Sequence, residues 1–300
     1  MRNGLGGWVG AAAIGLAAST SACATKSGAS APQVQNAAAP AASGPRVAGS
    51  QPQASVAAAT AAGTPPTGTT PVSAEQRLEE WRRSRTRIYM NDFGELGRYR
   101  SANARLGAPV PGESRVVFFG DSITDQWPLA MSFPGKTTYI NRGINGQTTP
   151  QMLLRFRQDV IALQPKVVVI LAGTNDIAGN TGPMTIEETV ANFAEMVELA
   201  RLHRIRVVLS SVLPVHDYTP QSALAFPLRP PEKITELNHE LKQLAAQTGS
   251  VYLDYASSMS DDRGYLKRDL AVDGLHPNRE GYAIMAPLAE AAIASALASR

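Results

Sequence analysis

One pattern constrains this chain more than any other. Short continuous apolar runs alternate with longer amphipathic stretches. The runs are RVVFF (115–119), TTYIN (137–141), KVVVILAG (166–173), RVVLSSVL (206–213) and VYLDY (251–255), with TTYIN the weakest. A run with no polar alternation is covered on both faces, which is the condition of a strand inside a parallel sheet. Helix signals lie between the runs. Thr149-Pro150 places an N-cap before a proline at the first helical position. Thr185 and Glu188 have the spacing of a capping box, and Val190, Phe193, Val197 and Ala200 follow at helical spacing. Another helix starts near Pro231, with Ile234, Leu237, Leu241 and Leu244 on one face, and a last one runs from about Asn278 to Leu297. Ahead of the first run, 74–90 and 93–106 also predict helix. Strands alternating with helices predict an α/β domain: a three-layer sandwich with a parallel sheet of about five strands and helices on both faces. Ligands of such sheets bind outside the carboxyl ends of the strands.

The 300 residues are not uniform. Residues 24–74 are mostly Ala, Pro, Gly, Ser, Thr and Gln, with only Lys26 and Arg46 charged. Such a stretch buries too little apolar surface to offset its ordering entropy, and it reads as a tether. Before it, Arg2 and the amino terminus precede an apolar segment from Trp8 to Ala18. That segment is shorter than the ~20 residues a bilayer span needs, and it reads as an export signal. Cys23 follows and is the only cysteine, so it has no internal disulfide partner. Thr20-Ser-Ala-Cys23 resembles a bacterial lipobox, with Thr where Leu is usual; cleavage within Ala22-Cys23-Ala24 is the alternative. The expected organisation is therefore a lipoprotein-type signal over 1–22, a tether over 23–73, and a folded domain with an N-terminal helical extension over 74–300. The expected location is the periplasm or cell envelope, with membrane attachment through a lipidated Cys23.

A net charge of +3 is mild, and no nucleic-acid-binding motif accompanies it. Arg82, Arg83, Arg85 and Arg87 form one dense basic spot. With Glu75, Glu79 and Glu80 nearby, it reads as a solvated helix face; contact with anionic glycan or lipid headgroups is the sharper alternative.

The chemistry concentrates just after the strands. Ser122 ends the stretch VVFFGDS, at the edge where a nucleophile sits. A serine hydroxyl needs a base, and histidine is the usual one because its pKa lies near working pH. Of four histidines, His203 and His239 lie in predicted helices beside charges, and His216 lies in a long loop. His276 lies in VDGLHPN, a turn-rich loop before the last helix, and Asp273 three residues upstream can orient its imidazole. Gly143 in NRGINGQ follows the second run and Asn175 in AGTND the third. A glycine N–H and an asparagine amide are suitable oxyanion donors. Asp121, Asp125 and Asp176 are expected to brace loops by accepting backbone N–H bonds. No G-x-S-x-G elbow, H-E-x-x-H pair or glycine-rich phosphate loop occurs, and no metal or cofactor is expected.

GDSITD, NRGINGQ, GTND and DGLHPN, in that order, resemble the four sequence blocks of the SGNH hydrolases, also called GDSL esterases and lipases. The resemblance covers about residues 115–282 and extends to the branch containing the platelet-activating-factor acetylhydrolase catalytic subunits. It implies a flavodoxin-like fold. It also implies Ser122 as nucleophile, His276 as base, Asp273 as its partner, and an oxyanion hole from the Ser122 and Gly143 N–H groups and Asn175. The expected reaction is hydrolysis of short acyl esters, acetyl included, on a glycan or small alcohol. Lysophospholipid or thioester hydrolysis, a non-catalytic glycan-binding lipoprotein and an acyltransferase are the alternatives. The loop 214–230 is long enough to wall the acyl site with Tyr218, Leu224 and Phe226.

Overall fold

A computed structural model describes residues 74–299. The signal segment, Cys23 and the tether predicted from the sequence lie outside the described residues. The strands are β1 (Val116–Gly120), β2 (Tyr139–Gly143), β3 (Val167–Leu171), β4 (Arg206–Ser210) and β5 (Val251–Leu253). They form one parallel sheet in the order β2-β1-β3-β4-β5. This is the flavodoxin-like order, with its switch point between β1 and β3. The α-helices are α1 (Ala74–Asp92), α2 (Arg100–Leu106), α3 (Ser122–Asp125), α4 (Leu129–Ser132), α5 (Thr149–Asp159), α6 (Thr174–Ile177), α7 (Ile186–Leu202), α8 (Pro231–Thr248), α9 (Ala256–Met259) and α10 (Arg279–Ala298).

The period of two along each strand divides the core into two layers. Val117, Phe119, Val168, Ile170, Val207 and Leu209 face Met152 and Phe156 of α5, Phe193 and Val197 of α7, and Leu237 and Leu241 of α8. Val116, Phe118, Val167, Val169 and Val208 face Met285, Ala289 and Ile293 of α10, together with Trp127, Phe133 and Tyr255. Every strand position in β1 and β3 is buried, so both layers close over the centre of the sheet.

Two local expectations need correction. The stretch 93–106 is helical only from Arg100. Asp92 turns the chain first, its carboxylate accepting the Leu96 and Gly97 N–H groups at 2.9 and 2.8 Å. The N-cap of α5 is Thr148 rather than Thr149, and Gln151 returns its Oε1 to the Thr148 N–H at 3.1 Å. The Thr185–Glu188 capping box forms as the sequence predicts.

The N-terminal segment is bound to α5 and to the loop between β2 and α5. Gln151 and Gln158 donate to the Phe93 and Leu96 carbonyls at 2.7 Å each, and Gln147 donates to Gly94 at 3.1 Å. Arg85 is not solvated: it forms an ion pair with Glu95 and lies over the Tyr89 ring. Arg82, Arg83 and Arg87 are exposed, as a solvated face requires. Below the same loop lies Arg155, fully buried on the Phe119 ring, donating to Gln147, the Arg142 and Gly120 carbonyls and Asp159. A buried guanidinium with all these partners ties β1 to β2 at the edge where the site forms.

Candidate active site

The site grows from three turns at the carboxyl edge of the sheet. After β1, Asp121 caps α3 by accepting the Ile123 N–H at 3.0 Å, so Ser122 becomes the first helical residue. In the last loop, one Asp273 oxygen accepts the N–H groups of Leu275 and His276, at 3.1 and 2.9 Å. The other lies 2.7 Å from His276 Nδ1, and His276 Nε2 lies 2.9 Å from Ser122 Oγ. Gly274 makes this tight loop possible: its φ is +83°, and a β-carbon there would sit 2.7 Å from the His216 carbonyl oxygen. The structure thus brings Ser122, Asp273 and His276 into one hydrogen-bonded line. Burial works against the Asp273 charge, but the His276 side chain and the two backbone N–H groups outweigh it and hold the carboxyl at about 2.

The other histidines are elsewhere. His203 and His239 are exposed. His216 is buried behind the last loop; its N–H donates to the Gly274 carbonyl, its Nδ1 accepts the Tyr218 N–H, and its ring stacks on Tyr218.

Asn175, in the first turn of α6, is buried beside Ser122. Its Nδ2 lies 3.0 Å from the Gln147 carbonyl and 3.3 Å from Asp121 Oδ2. Its Oδ1 accepts from Arg229 Nη2 at 3.1 Å, and Arg229 also donates to Thr174 Oγ1 and the Ala225 carbonyl. A guanidinium cannot accept a hydrogen bond, so it fixes the amide with oxygen toward Arg229 and nitrogen toward Asp121 and the Gln147 carbonyl. Burial lowers the Arg229 pKa to about 10, which leaves it cationic at neutral pH. Sequence reasoning passed over Arg229. The available signal was that it is the only Lys or Arg in the loop 214–230.

Gly143 does not stand where the sequence reading put it. It is the last residue of β2, opposite Gly120, and its N–H donates to Asn141 Oδ1 at 2.8 Å. A β-carbon there would lie 2.0 Å from the Asp125 nitrogen, so the glycine is required by the packing of α3 on β2. Gly146, three residues later, lines the cleft with Ser122 and Asn175. Among the described residues, neither the Ser122 nor the Gly146 N–H donates a hydrogen bond. NRGINGQ holds two glycines, and spacing alone does not choose between them.

The cleft is about 230 Å³. Loop 214–230 supplies Leu224 to its wall, as expected, together with Gln221, Ala225, Leu228 and Arg229. Tyr218 and Phe226 are not in it: Tyr218 stacks on His216, and Phe226 packs edge-on against Tyr265. The three remaining carboxylates brace loops. Asp121 accepts from Ile123, Asp125 from Asn145 and Asp176 from Thr149. Burial raises Asp121 and Asp176 to about 6. Among the described residues, no group of three or more His, Cys, Asp or Glu is placed to hold a metal ion.

The chain is similar in sequence and fold to other proteins. The family profile described as GDSL-like lipase/acylhydrolase matches residues 118–284. A solved GDSL-like lipase from Bacteroides thetaiotaomicron is 42% identical, covers 68% of this chain and 100% of its own, and superposes with a TM-score of 0.62. The lipoprotein YqeF of Bacillus subtilis is 34% identical over 127 residues, a match that spans 36% of this chain and only 52% of that protein. An acetylxylan esterase from Geobacillus stearothermophilus is 24% identical over 57% of this chain and 90% of its own.

Proposed function

Because the chain belongs to the GDSL-like lipase/acylhydrolase family, we propose that it is a serine ester hydrolase that removes short acyl groups, acetyl foremost, from a glycan or small alcohol. The observation that carries this reading is the line from Ser122 Oγ through His276 to Asp273, at 2.9 and 2.7 Å. His276 carries its proton on Nδ1, donated to Asp273, which leaves Nε2 free as the base. Ser122 Oγ attacks the ester carbonyl as its proton passes to Nε2. The carbonyl π pair moves onto oxygen, and the N–H groups of Ser122 and Gly146 with the Asn175 amide hold that charge. The tetrahedral intermediate collapses, the imidazolium protonates the leaving alkoxide, and the acyl group stays on Ser122. Water then attacks the acyl-enzyme with the same base, releasing the acid and restoring Ser122.

Size supports the short acyl group. A cleft of about 230 Å³ is below the ~300–1,000 Å³ of pockets that enclose drug-sized ligands. A larger groove of about 670 Å³ runs along α10, but its lining contains none of Ser122, Asp273 or His276. The likeness to an acetylxylan esterase supports an acetylated glycan. The likeness to a lipoprotein supports lipidation at Cys23, with 23–73 as the tether that holds the hydrolase at the cell envelope.

The test is hydrolysis of a p-nitrophenyl ester series by the full chain. Acetate turnover is expected to exceed that of octanoate, and Ser122→Ala is expected to fall to the background rate. Turnover that survives Ser122→Ala rejects the serine mechanism, and a preference for octanoate rejects the short acyl group.

A further inference from the structure

The family match begins at residue 118, yet one wall of the cleft comes from α1, well upstream. Trp81 lines the same cleft as Ser122 and His276. Its indole is seated on the Gly146 turn: a β-carbon at Gly146 would lie 2.9 Å from Trp81 Cζ2 and 3.7 Å from Cη2. The two tryptophans among the described residues differ sharply. Trp127 is buried among Phe118, Phe133, Tyr255 and Tyr282, and its indole N–H donates to Ser132. Trp81 is only half-buried; among the described residues it has no ring partner, and its indole N–H has no acceptor. Its contact with the Gly146 turn leaves part of the ring exposed and the indole N–H unused beside the nucleophile.

Its neighbours indicate what it meets. Asn145, Asn180 and Gln221 bring neutral amides to the same cleft. Asn180 uses its nitrogen on the Gly146 carbonyl, which leaves its oxygen as an acceptor. The charged groups of the cleft are already engaged, Arg229 with Asn175 and Asp273 with His276. Neutral amides match hydroxyl groups, which both donate and accept. An indole face matches the C–H face of a pyranose ring. Anionic headgroups would call for free cations, and the one Lys or Arg in the lining is Arg229, already paired with Asn175.

Resting on the ester-hydrolase reading above, we propose that Trp81 is the specificity residue of the alcohol side of the cleft: a platform on which the sugar ring of an acetylated saccharide stacks, with the amides of Asn145, Asn180 and Gln221 taking its hydroxyls. The N-terminal helix is then part of the substrate site, and its anchoring through Gln147 and Gln151 holds the platform in register with Ser122.

The experiment compares two acetyl donors on the full chain: β-D-xylose tetraacetate, which carries a ring, and vinyl acetate, which does not. Trp81→Ala is expected to lower kcat/KM for the sugar ester roughly tenfold, mostly through KM, and to leave vinyl acetate within twofold. Trp81→Phe is expected to recover much of the loss. A parallel fall on both esters would overturn the proposal, because Trp81 would then act only on the Gly146 turn. An unchanged KM for the sugar ester would overturn it too. Ser122-dependent cleavage of vinyl acetate with no cleavage of the sugar ester rejects the sugar platform and leaves the esterase standing. Cleavage of neither ester rejects both readings.

Discussion

Asp273 and Asp121 stand on either side of the same Ser122–His276 pair, and the fold treats them in opposite ways. Asp273 keeps 39% of its side chain exposed, yet it is held at about 2. Asp121 is wholly buried and is raised to about 6, as is Asp176 in α6. The difference lies in the donors that reach each carboxylate. Asp273 faces two backbone N–H groups and an imidazole. Asp121 has one backbone N–H and one long amide contact. A loop that aims donors at a carboxylate makes a charge partner for an imidazolium; a strand-end turn that only buries one makes a brace.

The largest expected effect tests that division directly. Asp273→Asn removes the charge that orients His276 and stabilises its cation, so kcat is expected to fall on the order of 10⁴. Asp121→Asn keeps an oxygen for the Ile123 N–H and is expected to lower kcat less than tenfold. Steady-state rates on one short acyl ester read both. If Asp121→Asn falls as far as Asp273→Asn, the two carboxylates share the work and the comparison breaks.

Next in size is the coupling on the Asp121 side. There Asn175 bridges Asp121 to Arg229, its nitrogen toward the carboxylate and its oxygen toward the guanidinium. Asn175→Ala is expected to lower kcat by about 10²–10³, as the loss of one oxyanion donor does. Arg229→Met leaves the amide free to turn and is expected to cost at least about tenfold in kcat on its own. The double-mutant cycle sharpens the point. In the Asn175→Ala background, Arg229→Met is expected to cost little more, because Arg229 acts through that amide. Additive losses would assign Arg229 a separate structural role.

These details show where the sequence was legible. The sheet was, because buried parallel strands write themselves as unbroken apolar runs: β1, β3 and β4 fall within theirs to a residue or so. Ser122, Asp273 and His276 were legible as candidates, because a serine just after an apolar run and Asp-x-x-His in a turn-rich loop are local patterns, and the fold brings them within hydrogen-bond distance. What failed was anything decided by packing across the chain. Gly143 and Gly146 look alike in NRGINGQ, and only the contact of β2 with α3 separates them. Arg229 and Trp81 reach the cleft from a loop and a helix far from Ser122 in sequence, and no local period announces either. Phe226, a fair candidate for the acyl wall, is drawn away by Tyr265.

The last expected effect is on stability rather than rate, and it tests the brace half of the comparison. Asp176 Oδ1 accepts the N–H and hydroxyl of Thr149 at 2.9 and 2.6 Å, whereas Oδ2 is buried with no partner among the described residues. Burial puts its folded pKa at about 6, above the ~3.9 of an unfolded aspartate. Between those values the folded chain holds a proton that the unfolded chain has released. Wild-type stability is therefore expected to fall as pH rises from about 4 to about 6, by up to about 3 kcal/mol from this group, and to level above that. Asp176→Asn keeps an oxygen for Thr149 and has no proton to lose. Its Tm relative to wild type is expected to climb across that window and then stay flat. Asp273 must tilt the other way: its depressed pKa contributes stability that is present above about 4 and lost as pH falls toward 2. Thermal melts of wild type, Asp176→Asn and Asp273→Asn from pH 2 to pH 8 read both slopes. A Tm offset for Asp176→Asn that does not change with pH would mean that the Thr149 contacts, and not burial, set the state of that carboxylate.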